Sequence, residues 1–205
     1  MTHPALELIL QRTSVNHFDP SFSIDAATLA ELVRYASEAP SAYNFQNWRF
    51  IAVHSAAQKA RLCEMAYGQR KVLESSATFI VCGRLRPHLA LRNALKPFQD
   101  AGHVDADTVA AMVDSATQTY ADDARMQRDE AIRSASLAAM TLMIAAQAMG
   151  LASGPMIGFD PDQVHAGFGL TDDELPALLV TVGRPAPGNW PRKPRRPAGD
   201  VLTIV

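Results

Sequence analysis

Apolar positions along this chain recur at two spacings, and the spacing decides the element. Leu29, Leu32, Val33 and Ala36 fall on one helix face, with Asp25 placed to cap its start and Pro40 to stop it. Leu6, Ile9 and Leu10 predict a shorter amphipathic helix before it, ending near the turn-rich Asp19-Pro20-Ser21, and Val109, Met112, Val113, Ala116 and Tyr120 predict a later one. Short β-rich runs at Trp48 to His54, Thr78 to Gly83 and Leu178 to Gly183 read as strands, with a helix over Ala56 to Ala66 after the first. Trp48 and Phe50 are expected in the core. His88 to Gln99 reads as a helix broken at Pro97, and Val201 to Val205 as a fourth strand after the Pro-rich stretch Pro185 to Pro197.

The longest uncharged segment, Ser134 to Phe159, has a core from Leu137 to Met149 in which only Thr141 and Gln147 are polar. A membrane span needs about 20 predominantly apolar residues, whereas this segment is rich in Ala and is broken by Gly150, Gly154, Pro155 and Gly158. A buried helix is the better reading. Being apolar on nearly all sides, it must be covered on all sides, at the centre of the fold or at a subunit interface. Isolated strands among helices, with a long helical middle, indicate an α+β fold, and 205 residues fit one domain spanning 1–205.

The charge balance of 19 Lys and Arg against 21 Asp and Glu argues against a protein built to grip nucleic acid or an anionic membrane. Cys63 and Cys82 form no Cys-x-x-Cys pair, so neither a disulfide framework nor a zinc site is indicated, and a reducing compartment is expected. Met1 to Leu10 contains Glu7 and lacks a positive start, unlike a signal peptide, which makes the cytoplasm the expected location. There is no Gly-x-Gly-x-x-Gly, no Gly-Lys of a P-loop, no His-Glu-x-x-His and no Gly-x-Ser-x-Gly, which disfavours Rossmann dehydrogenases, P-loop NTPases, zincins and α/β-hydrolases. His103, Asp105 and Asp107 fit a helix start better than a metal site, and no metal is expected. Cys82, between Val81 and Gly83, reads as a small core residue.

Three stretches are unlike ordinary surface. Arg12-Thr13-Ser14-Val15-Asn16-His17-Phe18 brings a guanidinium, two hydroxyls and an amide together, groups that can fork onto phosphate oxygens. Pro40-Ser41-Ala42-Tyr43-Asn44-Phe45-Gln46-Asn47-Trp48-Arg49-Phe50 is a helix stop and polar loop entering a strand, able to read a planar polar heterocycle. Arg192-Lys193-Pro194-Arg195-Arg196 is a stiffened basic run that by composition alone also suits a nucleic acid. In this order, with Gln69-Arg70-Lys71-Val72, Gly150-Leu151 and Pro155-Met156-Ile157-Gly158-Phe159-Asp160 between them, these stretches resemble the FMN-dependent nitroreductase family from Arg12 to Pro197.

The resemblance implies a nitroreductase-like fold, a central mixed but mostly antiparallel sheet flanked by helices, in an intertwined homodimer with FMN at each end of the interface. Arg12, Ser14, Lys193 and Arg195, with Thr13 and Asn16 in the same motif, would hold the FMN phosphate. Pro40, Ser41, Ala42 and Asn44 would border the ring from the neighbouring subunit. Gln69 and Lys71 would meet its polar edge, Lys71 being the most mechanistic because positive charge there stabilises reduced flavin. Ile157 and Gly158 would present backbone groups near N5. Tyr43 would face the substrate, and by position alone Ala116 to Arg128 reads as a mobile lid that places Tyr120 over the flavin. NADH or NADPH would reduce the FMN, which would then reduce a nitroaromatic, a quinone or a similar electron-poor acceptor in ping-pong fashion. A small aldehyde or enone as acceptor, or a flavin-binding protein without turnover, are the alternatives. Asn16, Asn47, Gly68 and Ile157 depart from the family's usual residues.

Overall fold

The computed structural model describes residues 3–205; Met1 and Thr2, the first two residues of the segment judged unlike a signal peptide, lie outside them. In chain order the elements are α1 (Pro4–Gln11), α2 (Ala26–Ala36), β1 (Trp48–Val53), α3 (Ala56–Met65), α4 (Lys71–Glu74), β2 (Ala77–Arg84), α5 (Leu91–Asp100), α6 (Ala106–Tyr120), α7 (Ala124–Ala148), β3 (Ala152–Met156), α8 (Pro161–Gly167) and β4 (Glu174–Gly183). Helix starts are set by short polar side chains: Asp25 accepts the N–H of Thr28, Asp105 that of Thr108 and Asp123 that of Met126. The reading of Asp105 as a cap therefore holds.

The sheet runs β1-β2-β4-β3 with every ladder antiparallel, and one parallel bridge, Ser14 to Ser153, adds the mixed element at its edge. Buried β2 lies inside the sheet and serves two layers by strand alternation. Phe79 and Val81 join the core of α2 and α7, while Ile80 and Cys82 join that of α3 and α8. At Gly83 a β-carbon would lie 2.1 Å from the Ala131 carbonyl oxygen, so glycine is what lets α7 cross the sheet this closely. A third cluster, including Phe45, Leu95, Val109 and Tyr120, sits beneath α5 and α6.

Several expectations are corrected. The fourth strand is Ala152–Met156, not Val201 to Val205, which is exposed and forms no ladder. Its Pro155 is tolerable because β3 is an edge strand, and Gly154 is required because a β-carbon would lie 2.4 Å from the Val15 carbonyl oxygen. The first helix ends at Gln11, well before Asp19, because Arg12 turns to an extended conformation and starts an arm beside β3. Helix α5 continues through Pro97 to Asp100. Trp48 and Phe50 are only half-buried, since β1 is the other edge of the sheet. Helix α7 passes a length-and-composition test for a membrane span, yet it buries one face against α2, β2 and β4. Its other face is left open by the described residues, with Leu137 and Met140 40% and 39% exposed.

Candidate active site

The arm from Arg12 to Phe18 is laid against β3 by the Val15 N–H, which donates to the Ser153 carbonyl at 3.0 Å, and its end is tied to the exit of β4 by the Asp19 N–H, which donates to the Arg184 carbonyl at 2.9 Å. The Pro-rich tail returns over it. Between arm and tail lies a cavity of about 190 Å³ bordered by Thr13, Ser14 and Asn16 on one side and by Trp190, Arg192, Lys193 and Arg195 on the other. No carboxylate lines it. Arg12 Nη1 is buried without a hydrogen-bond partner. Burial first, then the charges of Arg195 and Arg192, hold the Arg12 guanidinium below its ordinary range. A buried N–H donor among like charges is costly, and an anion carrying several oxygens would relieve both penalties. Lys193 lies over the Trp190 ring at 4.9 Å, which keeps its ammonium at the rim.

A second cavity of about 330 Å³ shares Asn16 and Lys71 with the first and is completed by His17, Gln69, Arg70 and Glu74. Lys71 opens α4, and its ammonium donates to Asn16 Oδ1 at 3.4 Å. Burial pushes the Lys71 pKa down. Gln69 Nε2 donates to the Gly158 carbonyl at 2.6 Å, fixing the exit of β3 beside this cavity, and the neighbouring Ile157 is 81% exposed. The fold thus brings Thr13, Ser14, Asn16, Gln69, Lys71, Lys193 and Arg195 into two adjoining cavities, with Arg12 beside its two arginines and Gly158 attached through Gln69.

Pro40, Ser41, Ala42, Tyr43 and Asn44 line neither cavity of their own chain. They form a tight loop in which Tyr43, Asn44 and Gln46 all have left-handed backbones, with φ of 52°, 59° and 48°. Ser41 Oγ accepts the Gln46 N–H at 2.9 Å, and the Tyr43 hydroxyl lies 2.9 Å from Ser115 Oγ on α6. Such a conformation persists only where its surroundings over-determine it, as they do here. Tyr120 requires a correction. It is buried and packs edge-on against Phe45 at 5.3 Å, so it supports the loop from within, and burial pushes its phenol pKa up. Ala116 to Arg128 is no free lid but the end of α6, a short turn and the start of α7.

Two of the family departures have local reasons. Asn47 is buried, donates its side-chain amide to the Arg84 carbonyl at 3.0 Å and receives the Arg84 N–H on its own carbonyl at 2.7 Å, extending the contact of β1 with β2. Gly68 closes the turn after α3 with φ of 72°. Cys82 is a core residue as expected, its thiol pushed up to about 12 chiefly by burial and then by Glu174. Sequence reasoning missed Asn189 and Trp190, whose signal was only a polar and an aromatic residue beside the basic run. It also missed buried Glu130, paired with Arg133 and Ser134, and buried Glu174, paired with Arg49 and Arg84. Among the described residues no three His, Cys, Asp or Glu side chains gather as a metal site.

The Nitroreductase family matches residues 9–184. YodC of Bacillus subtilis, whose name assigns it to the NAD(P)H nitroreductases, is 32% identical over 179 residues, covering 87% of this chain and 88% of that one. The oxygen-insensitive NAD(P)H nitroreductase of Salmonella typhimurium is 28% identical over 185 residues, 85% of each chain. A nitroreductase of Exiguobacterium sibiricum, solved in complex with FMN, superposes with a TM-score of 0.90 at 26% identity, covering 100% of this chain and 99% of that one.

Proposed function

From the premise that this chain belongs to the nitroreductase family of NAD(P)H-dependent flavin oxidoreductases, we propose that it reduces nitroaromatics, quinones or similar electron-poor acceptors in two alternating half-reactions. The observation that carries the reading is the buried, unpartnered Nη1 of Arg12, close enough to Arg195 and Arg192 to feel their charge, with those two arginines lining a cavity that has no carboxylate and adjoins the Gln69 and Lys71 cavity. When bound, FMN supplies hydride transfer, from NADH or NADPH on one side and to the acceptor on the other. The residues present fit it.

Arg12, Thr13, Ser14, Asn16, Lys193 and Arg195 would hold its phosphate end. Gln69 and Lys71 would hold the polar edge of its ring, where the half-buried Lys71 ammonium offsets negative charge and is the catalytic residue of this scheme. Ile157 and Gly158 would offer main-chain groups near N5. No side chain here is placed as an obligatory acid–base pair, which suits chemistry performed by a cofactor. Pro40, Ser41, Ala42 and Asn44 would complete the site of a second copy, with Tyr43 toward the acceptor. A homodimer would cover the open face of α7. The unpaired Cys63 and Cys82 fit a cytoplasmic location, and the net charge of −2 fits an enzyme without nucleic-acid or membrane partners.

An anaerobic absorbance spectrum of the FMN-loaded protein tests this. Bleaching of the visible flavin band by NADPH or NADH, with recovery on adding a quinone or nitro compound, is the expected result. A bound flavin that neither nucleotide bleaches would point to a binding protein without turnover.

A further inference from the structure

The cradle between arm and tail depends on one side chain that does not line it. Asn189 Oδ1 accepts the N–H of Asn16 at 2.8 Å and of His17 at 3.0 Å, while its Nδ2 donates to the carbonyls of His17 at 2.8 Å and Ala186 at 2.9 Å. Two lone pairs and two N–H groups are all that the amide offers in its plane, so its capacity is used up. Three of the four bonds reach the arm that carries Ser14 and Asn16; the fourth returns to its own tail. At its start the tail bonds to the arm through the main chain, the Ala186 N–H donating to the His17 carbonyl at 3.0 Å and the Arg184 carbonyl accepting the Asp19 N–H at 2.9 Å, but Pro187, Pro191, Pro194 and Pro197 have no N–H with which to continue a ladder. Beyond Ala186, side chains hold the tail to the arm. Asn189 precedes Trp190, where the basic wall with Arg192, Lys193 and Arg195 begins.

We infer that Asn189 is a positioning residue for recognition of the phosphate: it sets the separation of the Ser14–Asn16 wall from the Lys193–Arg195 wall without itself touching the cofactor. This rests on the phosphate-cradle reading given above. The residue acts first on the phosphate end: Gln69 is tied to the Gly158 carbonyl by a bond that does not involve it, and Lys71 meets the arm only through the side chain of Asn16, at 3.4 Å, whereas Asn189 holds the Asn16 main chain.

Riboflavin, which is FMN without its phosphate, separates this role from a general structural one. Binding of both flavins to the flavin-stripped full chain is measured by fluorescence quenching for wild type and Asn189→Ala. The wild type should prefer FMN. The variant should lose about tenfold in FMN affinity while riboflavin affinity stays within about twofold, so that the preference collapses. Unchanged FMN affinity overturns the inference, and so does a parallel loss for both flavins, which would mark Asn189 as merely structural. If Asn189→Ala does not fold, Asn189→Ser, which retains one acceptor, supports the same comparison. A wild type that does not prefer FMN over riboflavin would overturn the phosphate cradle itself, a result distinct from failure of Asn189 alone.

Discussion

The side-chain amide of Gln69 donates to the main-chain oxygen of Gly158 at 2.6 Å, across 89 positions of sequence, and so ties the entrance of α4 to the exit of β3. A β-carbon at position 158 would lie 2.9 Å from Gln69 Nε2, the far end of a flexible side chain. Gly158→Ala should therefore fold but displace Gln69. Gln69→Ala should have the same outcome by a different route, and each should weaken FMN binding by about three- to tenfold, the worth of one hydrogen bond. Flavin titration of the two variants and of the double variant checks this: non-additive losses identify a shared contact.

Lys71→Gln keeps the length of the side chain near native but removes its charge. Flavin reduction by NADH or NADPH should slow by about tenfold or more, and the flavin potential should become more negative. Stopped-flow reduction and dye equilibration report the two effects. A Lys71→Gln enzyme with native potential and native rate would leave the lysine as a mere solvated end of α4.

Ser115 holds the strained Tyr43 by its hydroxyl at 2.9 Å. Ser115→Ala should raise KM for the acceptor by about three- to tenfold with a smaller change in FMN affinity, because it releases Tyr43 while the Ser41 bond to the Gln46 N–H still closes the rest of the loop. Equal effects on KM for the acceptor and on flavin binding would instead mean a wider disturbance of α6.

Glu174 is buried, with Arg49 at 2.6 Å, Arg84 at 3.7 Å and the Thr171 N–H at 3.1 Å. Burial alone would raise its pKa, but the Thr171 bond and the two guanidinium groups outweigh it and hold the carboxyl below its usual range. Its folded pKa is then lower than its unfolded one, so the stability it contributes is complete above about pH 4.3 and is lost as pH falls through the folded value. Glu174→Gln should cost roughly 1–2 kcal/mol at neutral pH, less than a fully buried pair because both arginines can rehydrate, and should flatten the acid limb of the stability curve. Tm measured from pH 3 to 7 checks both effects.

The open face of α7 adjoins a groove of about 440 Å³ lined by Tyr35, Ile144, Ala148 and Met149. Light scattering should give twice the chain mass for the wild type. Leu137→Asp with Met140→Asp should shift it toward monomer, and FMN should be lost in parallel if Pro40 to Asn44 complete the neighbouring site. A stable monomer with native FMN affinity would show that one chain suffices.

Much of this was legible in residue order. Asp25, Asp105 and the apolar repeat from Leu29 to Ala36 specify helices locally, because caps and one-sided faces act within a few residues. The basic arm, the Gln69–Lys71 segment and the basic tail were each visible as chemistry. Ala152–Met156 was not legible as a strand, since Gly154 and Pro155 break the usual pattern and are explained only by the edge position and by the arm crossing beside them. Val201 to Val205 had β-rich composition but no neighbour to pair with inside the chain. Tyr120 had the right residue type for a pocket wall, yet packing against Phe45 buried it.

Local order therefore determined the longer helices though not α4 or α8, three of the four strands, the class of the fold and the types of group available for binding. Tertiary structure decided which of those groups meet. Asn189 reaches Asn16 across 173 positions and Gln69 reaches Gly158 across 89, and no periodicity within one segment encodes such pairs. They arise because β3 and β4 place the arm, the α4 entrance and the tail at one edge of the sheet. Burial also decides whether a charge is worth keeping, as at Glu174 and Arg12, and burial is a property of the packed chain as a whole.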